Sequence, residues 1–143
     1  MEIALREAEA AGGRGEVPVG AVLSSPTGEI LAQDGNRVME CSDPTAHAEI
    51  LVIRAAAQKL GDVRLPGCRL YVTLEPCPMC AAAISFARLE RLYYAANDPK
   101  GGGVEHGARI FNQATCHHAP EVFSDIDGMR ASLLLKEFFK TKR

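Results

Sequence analysis

A histidine, a glutamate two residues after it and a pair of cysteines about thirty residues later are the residues in this chain best suited to chemistry. They lie in Thr45-Ala46-His47-Ala48-Glu49 and in Glu75-Pro76-Cys77-Pro78-Met79-Cys80. One imidazole and two thiolates make three good ligands for Zn²⁺, and Cys77 and Cys80 share a face of any helix that carries both. A helix N-terminus at that point favours the thiolates, because the macrodipole and the unsatisfied N–H groups stabilise negative charge. Three protein ligands leave the fourth tetrahedral position to water, which marks a catalytic site and not a structural one. Two thiolates and a neutral imidazole cancel the charge of the ion. Its water is then less acidic than the pKa of about 7 of a tri-histidine site, and a base is needed nearby. Glu49 is the candidate base and proton shuttle. It follows His47 by about 200° around an ideal helix, so the two converge only if the metal sits off the helix end, in its first turn. A structural zinc completed by Cys68, Cys116, His106 or His117 would leave Glu49 without a purpose. A redox Cys-x-x-Cys would leave Pro76 and the His-x-Glu pair unexplained.

These residues need elements to hold them. Apolar spacing predicts a helix from Met1 to about Ala11, closed by Gly12 and Gly13. Val17 to Leu23 and about Glu29 to Gln33 read as a hairpin around Pro26-Thr27-Gly28. A polar loop, Asp34 to Thr45, leads into a helix from about Ala46 to Leu60, with Gly61 as its stop. Cys68 to Leu74 is a third strand ended by Pro76, and Pro78 opens an apolar helix running to about Leu89. Arg91 to Ala96 is a fourth strand, Gly101-Gly102-Gly103 a flexible connector, Glu121 to Phe123 a short fifth strand and Met129 to Lys142 a last helix. The order implies a three-layer α/β/α sandwich around a mixed sheet of about five strands, with helices on both faces and strands three and four parallel. Ligands of such sheets gather at the carboxyl ends of strands, beside helix N-termini. Both motifs fall there.

The bulk numbers set the class. The 143 residues suit one domain spanning 1–143, with 47% hydrophobic and 24% charged residues. No apolar run approaches the roughly 20 residues of a membrane-spanning helix. Glu2, Glu7 and Glu9 make the first helix amphipathic and unlike a secretory signal, so the cytoplasm is the expected location. Because that helix starts at once, the reading leaves room for a few residues ahead of Met1. A net charge of −2 gives no bulk support for nucleic-acid binding, so any RNA must be met by a local basic patch. The five cysteines, an odd number, suit reduced thiols. Cys41, Cys68 and Cys116 are read as unreactive, and His106 as an exposed loop residue.

The pattern His-x-Glu…Pro-Cys-x-x-Cys is the known signature of zinc deaminases, in which the glutamate is not a ligand. Over nearly its whole length the chain resembles the bacterial tRNA-specific adenosine deaminases of the cytidine deaminase-like superfamily. The likeness runs through Glu16-Val17-Pro18-Val19-Gly20-Ala21-Val22, Asn36-Arg37, Asp43 to Glu49 and Tyr71 to Cys77. It continues through Asp98, Lys100, His117-His118 and Phe138-Phe139. The zinc motif marks the superfamily; the Glu16 segment and the Phe-Phe-basic end point to the tRNA-editing branch. The resemblance implies hydrolysis of the wobble adenosine of an anticodon loop to inosine, with loss of ammonia from C6 and one Zn²⁺ per subunit. The target nucleotide is everted into a pocket. Asn36 would hydrogen-bond the flipped nucleoside, the Ala48 N–H would contact the base, and Asp98 would lie beside the target nucleotide. Phe138 and Phe139 would pack near loop nucleotides, with Lys140, Lys142 and Arg143 close to phosphate. The implied partners are a tRNA, through its anticodon stem-loop and with arginine tRNA expected, and a second subunit in a homodimer.

Several readings stay open at this stage. Asn36 could instead hold its own loop, and His117-His118 could be loop structure or lie near RNA. Ala131, Leu134, Leu135 and Phe138 form one stripe, from which Phe139 is rotated by about 100°. Lysines 140 and 142 stand where more arginine is expected, and lysine cannot make bidentate phosphate contacts. A free-base or nucleoside deaminase acting on guanine, cytosine or adenosine is the second reading. A non-catalytic, zinc-stabilised RNA-binding module is the third.

Overall fold

The computed structural model describes residues 1–142, and Arg143 lies outside the described residues. The elements run α1 (Glu2–Gly13), β1 (Gly20–Ser24), β2 (Ile30–Gly35), α2 (Ala48–Leu60), β3 (Arg69–Leu74) and α3 (Pro78–Phe86). They continue with β4 (Arg91–Ala96), a 3-10 turn (Ile110–Asn112), β5 (Glu121–Phe123) and α4 (Gly128–Thr141). The sheet has the order β2-β1-β3-β4-β5. β1 is antiparallel to both neighbours, and β3, β4 and β5 are parallel. This is the three-layer α/β/α arrangement expected from the element order.

Alternation along the strands explains the layers. Leu70 and Val72 of β3 and Leu92 and Tyr94 of β4 join Val52 and Ala56 of α2 and Ala81 and Ile84 of α3 in one buried cluster. On the opposite face Leu5 of α1 and Ala131 of α4 pack on Ala95 and Ala96. Burying each large aliphatic side chain stabilises the fold by roughly 1.5–3 kcal/mol. α1 can lie down on β1 because Gly20 has no side chain: a Cβ there would run into the backbone of Ala4 and Ala8. At the far edge Tyr93 stacks on Tyr71 at 4.6 Å and on Phe123 at 4.8 Å between ring centres. That ladder fastens the three-residue strand β5.

Three of the boundaries that differ from those the sequence suggests do so for a clear local reason. Val17 to Val19 stay outside the sheet, since Pro18 has no N–H to give and the Val19 N–H turns back to the Val17 carbonyl. The sheet begins at Gly20. α3 stops at Phe86 because Arg88 takes a left-handed φ of +59° and the Leu89 N–H reaches back to Ile84. α2 starts at Ala48, which leaves His47 as its N-cap in extended conformation, φ −73° and ψ 151°.

The Gly101-Gly103 run corrects the expectation of a flexible connector. Gly102 and Gly103 are buried. The Gly103 N–H is donated to the Pro76 carbonyl at 2.8 Å, and the Ile110 N–H to the Gly103 carbonyl at 2.8 Å. Glycine is needed here for close approach and not for mobility.

Candidate active site

Two helix N-termini face one another at the carboxyl ends of the parallel strands. On one side β3 ends at Leu74, Pro76 cannot continue the ladder, and Cys77 caps α3 with Pro78 at its first position. On the other, the turn Asp43-Pro44-Thr45 precedes α2. The Thr45 N–H and hydroxyl both donate to Asp43 Oδ1, at 2.8 and 2.7 Å, and His47 follows two residues later.

His47 Nδ1 lies 3.7 Å from Cys77 Sγ and 3.5 Å from Cys80 Sγ. All three donor atoms fall within 4.8 Å of one another. Tetrahedral zinc with usual Zn–S and Zn–N bond lengths separates a sulfur from a nitrogen ligand by about 3.6 Å. The donor set and its spacing therefore fit Zn²⁺. Among the described residues no other group of three or more histidine, cysteine or acidic side chains comes together in this way.

Glu49 meets the geometric condition set by its spacing from His47. As the cap, His47 leaves the helix in extended backbone, while Glu49 sits in the first turn beside Cys80. Its side chain is buried, with 4% of the residue exposed. Burial pushes its carboxyl up to about 7, against the opposing pull of its own backbone N–H and of His47. Cys77 is the more acidic of the two thiols. The hydrogen bond from Cys80, together with the one to His47, overcomes burial and brings it down to about 4. Cys80 is raised in turn by sharing that bond and by burial.

The cluster floors a cavity of about 620 Å³ whose walls include Val19, Asn36, Met39 and Asp98. Asn36 is buried, and its Oδ1 accepts the Ala48 N–H at 2.8 Å. The Ala48 N–H, to which the resemblance gives a base contact, is engaged with Asn36. That amide is donated to Asn36 and orients it, leaving the Asn36 NH₂ group as the donor on the cavity side. Asp98 folds its Oδ1 back onto the N–H of Gly101 at 2.9 Å and of Lys100 at 3.2 Å. At the rim stand Phe138 and Lys142, with the ammonium 5.3 Å from the centre of the ring. Phe139 meets Phe138 edge-on at 5.3 Å but borders a separate groove with Lys140. The structure thus brings Phe138 and Lys142 to the cavity and leaves Phe139 and Lys140 outside it; Arg143 lies outside the described residues.

His118 is a structural residue away from the site, with Nε2 bound to the Leu89 carbonyl at 2.7 Å. His106 corrects the expectation of an exposed loop side chain, because its ring bonds the buried Glu75. Sequence reasoning missed two carboxylates that hold the cavity walls. Glu16 accepts the N–H groups of Met39 and Glu40, each at 2.9 Å, and Glu75 gathers the opposite loop. The one available signal was an acid beside a strand segment, Glu16 ahead of Val17 to Leu23 and Glu75 just after Leu74.

Residues 1–96 match the family model of the cytidine and deoxycytidylate deaminase zinc-binding region. Fold and cluster thus define the class as zinc-region deaminases. The chain is 60% identical over 143 residues to the tRNA-specific adenosine deaminase of Agrobacterium fabrum, covering all of this chain and 93% of the relative. A solved structure from work on A-to-I editing by tRNA:A34 deaminases at the wobble position matches with a TM-score of 0.93 and 61% identity. That match covers 94% of this chain and 97% of the other. A guanine deaminase from Nitrosomonas europaea shares the fold, with a TM-score of 0.82 at 23% identity over 96% of this chain and 81% of the other. The chain belongs to the tRNA-specific adenosine deaminases.

Proposed function

We propose that this chain hydrolyses the wobble adenosine of a tRNA anticodon loop to inosine and ammonia, as a single deaminase domain over residues 1–143. The observation that carries this reading is a buried carboxyl, Glu49, beside three soft donors at the floor of a cavity of nucleoside size. His47 Nδ1, Cys77 Sγ and Cys80 Sγ would hold one Zn²⁺ per subunit. Bound there, the ion supplies Lewis acidity and lowers the pKa of a water at its open position.

Glu49 takes a proton from the attacking water and delivers it to the ring nitrogen N1 as C6 becomes tetrahedral. It then moves the second proton to the departing amino group, so adenosine and water leave as inosine and ammonia. Asn36, oriented by Ala48, donates its NH₂ to the everted nucleoside, and Asp98 lines the pocket beside it. Phe138 offers an aromatic face to a neighbouring base, and Lys142 neutralises phosphate. Phe139 and Lys140, which border the separate groove, and Arg143 are proposed to meet the rest of the anticodon loop. Arginine tRNA is the proposed substrate, a homodimer the working unit and the cytoplasm the location. The names carried by the relatives support the tRNA reading.

The test is incubation of the purified zinc-loaded protein with arginine tRNA from its own species, followed by nucleoside analysis at the wobble position. Inosine there is the expected result. Product from free guanine or cytosine with none from tRNA would overturn the proposal, and so would zinc binding with no product from any of these substrates.

A further inference from the structure

The segment from Asp98 to His106 has no regular secondary structure, yet it is docked on the turn that presents Cys77. The dock is built on Glu75, whose side chain is wholly buried. Its Oε1 accepts the N–H groups of Glu105 at 2.9 Å, His106 at 3.0 Å and Val104 at 3.3 Å. Its Oε2 accepts the Asp98 N–H at 2.8 Å and His106 Nδ1 at 2.8 Å. Donors to a charged acceptor make the stronger class of hydrogen bond, and here they come from both ends of one loop. Burial pushes the Glu75 carboxyl up, but the Asp98 N–H, the His106 ring and the further N–H groups outweigh it and hold it below the ordinary carboxylate value.

The glycines show how tight the dock is. A Cβ on Gly102 would stand 2.6 Å from Glu75 Cδ, and one on Gly103 would stand 2.6 Å from the Pro78 nitrogen. The same loop carries Asp98 and Gly101 into the cavity wall.

We propose that Glu75 is a positioning residue. Its carboxylate preforms the Asp98 wall of the cavity and fixes that wall to the turn bearing Cys77 before any RNA arrives. This inference rests on the reading that the cavity takes the target nucleoside. Without the carboxylate, the loop would have to be ordered by the substrate, and the cost would fall on binding. If the carboxylate only stabilised the fold, its loss would lower the melting temperature and leave binding alone.

The experiment uses the zinc-loaded protein and an anticodon stem-loop. Glu75→Gln keeps the shape but replaces one acceptor oxygen with a donor. Gly102→Ala keeps the carboxylate and wedges a methyl group between it and the loop. In both, the zinc content stays at one per chain. Amide hydrogen exchange at Asp98, Val104, Glu105 and His106 becomes about tenfold faster or more, as loss of one charged hydrogen bond implies. KM for the stem-loop rises by a similar factor, while kcat at saturating RNA changes about threefold at most. If Glu75→Gln fails to fold, Gly102→Ala carries the same readouts. Exchange and KM at wild-type values in the folded variants would overturn the inference, as would a fall in melting temperature with KM unchanged. If the wild-type protein makes no inosine, the functional reading has failed, and amide exchange still decides whether Glu75 orders the loop.

Discussion

Removing the charge of Glu49 while keeping its shape separates proton transfer from metal binding. Glu49→Gln is expected to retain zinc by metal analysis and to lose about 10²–10⁴-fold in turnover, the usual worth of a positioned general acid–base. Single-turnover rates near wild type would remove Glu49 from the reaction. His47, Glu49, Cys77 and Cys80 could be read from the sequence because metal and proton chemistry admit few residue types, and their spacing restricts the backbone. Glu16 and Glu75 could not be read in the same way. Each bonds backbone N–H groups of a distant loop, and a backbone N–H leaves no trace in residue type. The bond from the Ala48 N–H to Asn36 is hidden from the sequence for the same reason.

At the level of elements, most of what positions the site was predictable from apolar period and from proline and glycine. The helix that starts one residue after His47 is the detail that matters, since it lets a ring and a carboxyl about 200° apart on an ideal helix meet at one point. Loop structure was the blind spot. β4 and the loop after it are joined by Tyr94, whose buried hydroxyl donates to Glu105 Oε1 at 2.7 Å, with Asn97 Oδ1 3.2 Å away. Burial, and after it the bond to Glu105, raises this phenol above its ordinary value. The folded protein thus keeps a proton that the unfolded chain begins to release near pH 10. The stabilising contribution is complete below that pH and declines as pH rises above it. Tyr94→Phe is expected to be less stable by about 1 kcal/mol at pH 8, with the gap narrowing between about pH 10 and 11. Denaturant melts across that range would measure it, and a gap independent of pH would refute it.

For the molecule as a whole, a net charge of −2 means that RNA must be drawn in by local charge and not by the general field. Lys142, at the cavity rim, is the cation best placed for this. Lys142→Ala is expected to weaken stem-loop binding by a similar factor for all loop sequences. It should also reduce the slope of log K against log salt by about 1. A titration series with an unchanged slope would place the phosphate contact elsewhere. No helix among the described residues is long and apolar enough to cross a membrane.

The three donor atoms also have a mechanical meaning. His47 belongs to one helix and the two cysteines to its neighbour in the same layer, about thirty residues along the chain. A cation between them would act as a rivet, closing a loop that the unfolded chain must leave open. Chelation should therefore abolish turnover and lower the thermal midpoint together, and one equivalent of Zn²⁺ should restore both. An unchanged midpoint in calorimetry would show that the rivet bears no strain. If it does bear strain, a cell starved of zinc would lose the folded protein as well as its activity.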